Sequence, residues 1–111
     1  MVVDINEKDG VLLMEIQEER LDAHNSGELK SRMLSLFEEG KVNIVINLSE
    51  VRFIDSSGLG ALVSGYKNAS ARNGNLKLCS LQPQVKSMFE LTRLHRVFEI
   101  FPSSDEAIGS F

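Results

Sequence analysis

No segment of this 111-residue chain restricts its fold more than Val42-Asn43-Ile44-Val45-Ile46-Asn47-Leu48. The run is β-branched and almost continuously apolar, whereas a strand with one face in water alternates apolar and polar residues. It therefore suits a central parallel strand covered on both faces. Parallel neighbours cannot be joined by a tight turn. They need crossover segments, usually helices, so the flanking sequence has to supply them.

The flanks do supply them. Over residues 26–39, Leu29, Met33, Leu36 and Phe37 recur at helical spacing, with Asn25 or Ser26 as N-cap and Gly40 as the stop. A second helix is predicted over residues 57–73, with Leu59, Leu62, Val63, Tyr66 and Ala69 on one stripe and Gly74 just beyond its end. Its early turns hold Gly58, Gly60, Ala61, Ser64 and Gly65. Glycine lowers helix propensity, so these positions predict a close approach of backbone to a neighbour. Residues 76–81 read as another strand. Pro83 fits the first turn of a short helix burying Val85, Met88, Phe89 and Leu91, and residues 97–101 read as a last edge strand. Ser103 with Glu106 matches a capping box opening a terminal helix that ends near Phe111.

Two further apolar segments, 2–6 and 11–17, flank Glu7-Lys8-Asp9-Gly10, and Asp-Gly tolerates the positive φ of a hairpin turn. The order is then β-β-α-β-α-β-α-β-α. It predicts a small α/β domain whose mixed, mostly parallel sheet carries an N-terminal β-hairpin and about four helices. At about 100 to 200 residues per domain, residues 1–111 are expected to form one domain with one core.

Composition narrows the function classes. Lys and Arg number 12 against 16 Asp and Glu, a net charge of −4. With no basic run either, a nucleic-acid ligand is not expected. The single cysteine, Cys79, reads as a small buried hydrophobe in a strand, and no Cys/His spacing resembles a metal site. Asp4, Glu7, Lys8 and Asp9 interrupt the start of the chain, leaving no apolar signal segment, and no run approaches the ~18 residues of a membrane span. A cytoplasmic protein is expected, without cofactor, metal or membrane partner, and monomeric when free because no oligomer seam is visible.

In open parallel sheets, ligands meet the loops that leave the carboxyl ends of the strands. Here these are residues 20–25, 49–57 and 80–83. The middle loop is the informative one, because Phe53-Ile54-Asp55-Ser56-Ser57-Gly58-Leu59-Gly60 delivers two hydroxyls and a carboxylate to a glycine-rich helix start. Unpaired N–H groups and the positive end of the helix dipole stabilise an anionic phosphate there. Spacing alone leaves a plainer reading open, in which Asp55 or Ser56 is an N-cap and the glycines serve packing.

The stretch Asn47-Leu48-Ser49-Glu50-Val51-Arg52-Phe53-Ile54-Asp55-Ser56-Ser57-Gly58-Leu59-Gly60-Ala61-Leu62 resembles the signature of the STAS domains of bacterial anti-sigma factor antagonists. The likeness extends to Leu21-Asp22-Ala23 and to Leu94-His95-Arg96-Val97-Phe98-Glu99-Ile100. One departure is Arg93, where many relatives carry glycine, and it bears on the turn before Leu94. The resemblance implies a partner switch. The serine after the aspartate, Ser56, with Ser57 as second choice, would be phosphorylated by an anti-sigma factor that is itself a serine kinase. The unphosphorylated form would bind that factor and free its sigma factor, and a serine phosphatase would reset the cycle. The partner surface expected from these loops comprises Asp22, His24, Asn25, Asp55, Ser57, Gly58, Leu59 and Gly60. Leu59, Leu62 and Val63 also read as core, with any turned to the loop edge extending that surface. Asp22 and Asp55 would oppose the phosphate charge, or serve as ordinary loop and cap carboxylates. His24 and His95 are assigned no chemistry, since two histidines in different loops lack metal-ligand spacing.

Two other readings compete. Ser56, His24 and Asp22 are the residue types of a serine hydrolase, but positions 54 and 55 are Ile and Asp where a nucleophile elbow needs a leading glycine. Gly58-Leu59-Gly60 begins a dinucleotide fingerprint, yet Val63 stands where the third glycine belongs. The chain is therefore expected not to be an enzyme. A non-phosphorylated STAS scaffold or regulatory subunit of a transport or stress-signalling assembly keeps the fold and changes the task.

Overall fold

The computed structural model describes residues 1–111. It opens with β1 (Val3–Lys8) and β2 (Val11–Ile16), paired antiparallel with Val3 opposite Ile16 and Lys8 opposite Val11. The turn is narrower than the four residues expected, because Glu7 and Lys8 already pair with Leu12 and Val11. Only Asp9 and Gly10 remain, at φ 54° and 79°, the positive pair that a two-residue I′ hairpin requires.

After β3 (Arg20–Leu21), helix α1 (Ser26–Glu38) crosses to β4 (Asn43–Asn47), and after β5 (Phe53–Ile54), helix α2 (Ser56–Ala71) crosses to β6 (Asn75–Cys79). Helix α3 (Pro83–Leu91) and a single 3₁₀ turn, Leu94–Arg96, lead to β7 (Ile100–Phe101), and α4 (Ser104–Gly109) ends the chain. The main sheet has the order β1-β2-β4-β6-β7. β4 lies in its centre, parallel to both β2 and β6, and β7 adds a parallel edge to β6. This is the expected mixed α/β architecture with its antiparallel opening hairpin and four helices.

The continuous apolar run of β4 is explained by cover on both faces. Ile44 and Ile46 join a cluster of 21 buried residues that includes Leu29, Met33 and Phe37 of α1, Leu59 and Leu62 of α2, and Val85 and Phe89 of α3. Val45 points the other way, into a separate cluster with Val11, Cys79, and Ala107 and Ile108 of α4. Cys79 is a buried strand residue, and burial pushes its thiol pKa up. Close packing of α1 on α2 depends on Gly65, where a Cβ would lie 2.6 Å from Met33 Sδ. Helix α1 stops at Gly40, whose φ of 85° lets Gly40 N and Lys41 N donate to Phe37 O and Leu36 O.

The C-terminal third departs from expectation. Leu91 is 79% exposed instead of buried, because α3 turns only Val85 and Phe89 fully inward. The strand expected over 97–101 shrinks to Ile100–Phe101. Arg93 takes a left-handed φ of 60°, the chain winds into the 3₁₀ turn, and Phe98 tucks inward edge-to-face against Tyr66 and Phe89 at 5.3 and 5.8 Å. The capping expectation for α4 holds on its serine side, where Ser103 Oγ accepts from Glu106 N at 3.2 Å.

Candidate functional site

The loops 20–25, 49–57 and 80–83 do leave the same edge of the sheet, and side chains stitch them together. A feature with no signal in the sequence starts this. β3 and β5, two residues each, pair in parallel as a small second sheet, Arg20 opposite Phe53 and Leu21 opposite Ile54. The Leu21 carbonyl then accepts from Asp55 N at 3.3 Å.

Asp55 is the N-cap of α2. One carboxylate oxygen accepts from Gly58 N at 2.9 Å, and the other accepts from Ala23 N at 3.3 Å in the neighbouring loop. The same carboxylate thus satisfies an orphan donor of the helix and ties two loops. Gly58 is required by this arrangement, since a Cβ there would sit 2.3 Å from Leu21 O and 2.8 Å from Ile54 Cγ1. Gly60 is different: it is exposed and a Cβ would meet nothing within 4 Å, so the close approach expected of the helix glycines holds at Gly58 and Gly65 and fails at Gly60.

Helix α2 begins one residue earlier than the sequence reading placed it, and Ser56 and Ser57 become its first two residues, both exposed. Gly58 and Leu59 are buried, so these two support the surface from beneath and present no side chain to a partner. Leu59 and Leu62 belong to the core, with Val63 half-buried against it.

The 20–25 loop is organised around Asp22. Its oxygens accept from His24 N at 3.0 Å and Arg20 Nε at 3.3 Å. The His24 backbone N–H, assisted by the Arg20 guanidinium and the His24 charge, holds the Asp22 carboxyl below its ordinary pKa. Asn25, at the N-cap position of α1, uses its side chain sideways: Oδ1 accepts from Asp22 N at 2.9 Å, and Nδ2 donates to Arg20 O at 2.7 Å. The His24 ring is 96% exposed and leans toward Asp22 at 3.7 Å. His95 lies in the 3₁₀ turn after α3, with Nδ1 3.3 Å from Phe89 O, and shares a cavity with Ser80 and Leu81.

Sequence reasoning missed two contacts. Arg20 lies over the ring of Phe53 at 4.1 Å from its centroid, and Phe53 stays 43% exposed beside the start of α2. The β3–β5 pairing that creates this contact is too short for any periodicity to reveal. Gln82 Nε2 donates to Ser49 O at 2.7 Å and fastens the third loop to the second.

A mixed sheet opened by an antiparallel hairpin, with a capped Asp-Ser-Ser-Gly helix start at its carboxyl edge, defines a recognisable class of small α/β domain. The STAS domain profile matches residues 2–107, and the chain belongs to that family. It is similar to the anti-sigma F factor antagonist of Paenibacillus polymyxa, 26% identical over 96% of this chain and 91% of the relative. The anti-sigma-B factor antagonist of Bacillus subtilis (strain 168) is 27% identical over 96% of this chain and 95% of its own length. A crystal structure of a candidate anti-sigma factor antagonist from Thermotoga maritima superposes with a TM-score of 0.89 at 26% identity, over 97% of this chain and 92% of that one. No helix is long and apolar enough to cross a membrane.

Proposed function

We propose that this chain, a single STAS domain over residues 1–111 acting in the cytoplasm, is an anti-sigma factor antagonist switched by phosphorylation of Ser56. Its unphosphorylated form binds an anti-sigma factor serine kinase and frees the sigma factor. Phosphorylation ends that binding, and a serine phosphatase restores it. No cofactor or catalytic residue of its own is involved, and the free protein is a monomer. The observation that carries the reading is an exposed Ser56 at the first position of α2, directly after the capping Asp55. Ser57 is the second choice. Asp22, His24, Asn25, Asp55, Ser57 and Gly60 are the proposed rim.

The switch has a physical basis. A phosphoryl group adds about −1.5 to −2 charges to a surface that must lose water against its partner. An uncompensated charge in an interface costs about 2 to 5 kcal/mol, or roughly 30-fold to several thousand-fold in affinity. The start of α2 meanwhile tolerates the phosphate in the free protein, so modification weakens binding without unfolding the domain.

Intact mass tests the site directly, after incubation of wild type, Ser56→Ala and Ser57→Ala with ATP and candidate anti-sigma kinases from the same organism. One phosphoryl group on wild type and Ser57→Ala, and none on Ser56→Ala, is the expected result. Loss in Ser57→Ala alone moves the site by one residue. No transfer with any candidate overturns the switch and favours the scaffold reading. Ser56→Ala is further expected to bind the kinase constitutively and Ser56→Asp to bind it more weakly.

A further inference from the structure

The second face of the sheet, opposite α1 and α2, carries a charge where none is needed for folding. Lys77 lies in the middle of β6 with its side chain only 6% exposed. Both of its hydrogen bonds go to Ser110, with Glu99 and Phe101 beside it from the segment that precedes α4. Nζ donates to Ser110 Oγ at 2.8 Å and to Ser110 O at 3.1 Å, sits 4.4 Å from the Phe111 ring centroid, and meets Glu99 Oε2 at 3.3 Å. A buried ammonium is tolerated only with such partners. Here the Ser110 and Phe111 contacts arrive when the C-terminal segment closes over the sheet, while Glu99 is in place beside β7.

The segment lies across β2, β4, β6 and β7, but its buried anchorage is small. Helix α4 is six residues long and contributes only Ala107 and Ile108 to the small cluster on Val11, Val45 and Cys79, which is separate from the 21-residue core. At its other end, Lys8 approaches Asp105 at 3.9 Å, and both side chains are well exposed. Exposed pairs of this kind contribute little. Few buried residues are the physical mark of a unit that opens below the global unfolding free energy.

We propose that α4 with residues 110–111 is a latch that opens and closes as a unit over the second face, with Lys77 as its catch. Opening returns the ammonium to water and exposes the strip formed by Val11, Val45 and Cys79. Closure and the desolvation of Lys77 are one event, so loss of the Ser110 and Phe111 contacts shifts the latch open while the main core stays intact. The device is independent of Ser56 and of any partner bound there.

Cys79, the one cysteine of the chain, lies beneath the latch and reports on it. The rate of its reaction with a chromogenic aromatic disulfide is measured on the full chain across sub-denaturing urea, alongside global unfolding by circular dichroism. Wild type is expected to label through an opening with a shallower urea dependence than global unfolding. The double variant Ser110→Ala/Phe111→Ala is expected to label at least tenfold faster in the absence of urea, with a nearly unchanged global midpoint. Labelling that follows global unfolding in slope and rate for both proteins overturns the latch. Sub-global labelling that the double variant leaves unaltered overturns the role of Lys77 as catch.

Discussion

Replacing Gly58 by alanine isolates the contact on which the site is built. The added Cβ lies 2.3 Å from the Leu21 carbonyl oxygen and 2.8 Å from Ile54 Cγ1, and Leu21 is fully buried. Ordinary van der Waals contact for a Cβ starts at 3.4 Å, so the start of α2 and β3 must part by about 1 Å. Overpacking of this kind costs about 1–3 kcal/mol. The separation also stretches the Asp55 N to Leu21 O bond beyond its 3.3 Å, a further loss of about 1 kcal/mol. Against this, alanine raises helix propensity by about 1 kcal/mol. The net expectation is a loss of about 1–3 kcal/mol, which at a urea slope near 1.5 kcal/mol per molar lowers the midpoint by about 1–2 M. Gly60→Ala is the control. With open space around its Cβ, only the propensity gain remains, and the midpoint is expected to rise by about 0.5 M. Urea unfolding followed by circular dichroism, with slopes compared, reads both. If Gly58→Ala proves as stable as Gly60→Ala, the close approach of α2 to β3 is wrong.

Arg93 holds a left-handed conformation at φ 60°, which costs a non-glycine residue about 1–2 kcal/mol. After subtracting the extra flexibility that glycine brings to the unfolded chain, Arg93→Gly is expected to stabilise by about 0.5–1 kcal/mol, and a lower thermal midpoint would contradict it. Asp22 has a folded pKa below the ordinary 3.8, so its contribution is complete above that value and lost as pH falls through the lower one. Asp22→Asn is accordingly expected to be less stable than wild type at about pH 7, with the gap closing as pH falls below 3.8. Parallel pH profiles of the two proteins would refute that linkage.

Much of this architecture is legible because it rests on long, repetitive patterns. The run through Ile44, Val45 and Ile46 demands two covered faces, and Leu29, Met33 and Phe37 recur at a spacing that only a helix can bury together. The elements that escaped the sequence are those decided by single tertiary contacts. β3 and β5 are too short to show period, and they exist because Arg52 N and Phe53 N both donate to Glu19 O across the gap between loops. Phe98 looks like a strand residue, yet its ring is drawn inward by Tyr66 and Phe89, which the pattern of residues 97–101 does not encode. At the site, Ser56, Asp55 and Gly58 are visible as residue types at a helix start. The second bond of Asp55, to Ala23 N, joins segments 32 residues apart in sequence and has no local signature.

The ties from Asp55 to Ala23 and from Gln82 to Ser49 link three segments that would otherwise move separately. A recognition surface made of loose loops gives up freedom on capture, about 0.5–1.5 kcal/mol for each immobilised side chain. Here that ordering is completed during folding, before any partner arrives. Calorimetry of capture is therefore expected to lack a large unfavourable ordering entropy, and the docking face is expected to keep its backbone shape from the free to the bound state. Ser56, Ser57 and Gly60 are exposed and make no side-chain tie to that frame, which therefore does not depend on them. They can be exchanged for others, and one partner for another, while the frame beneath is left as it is.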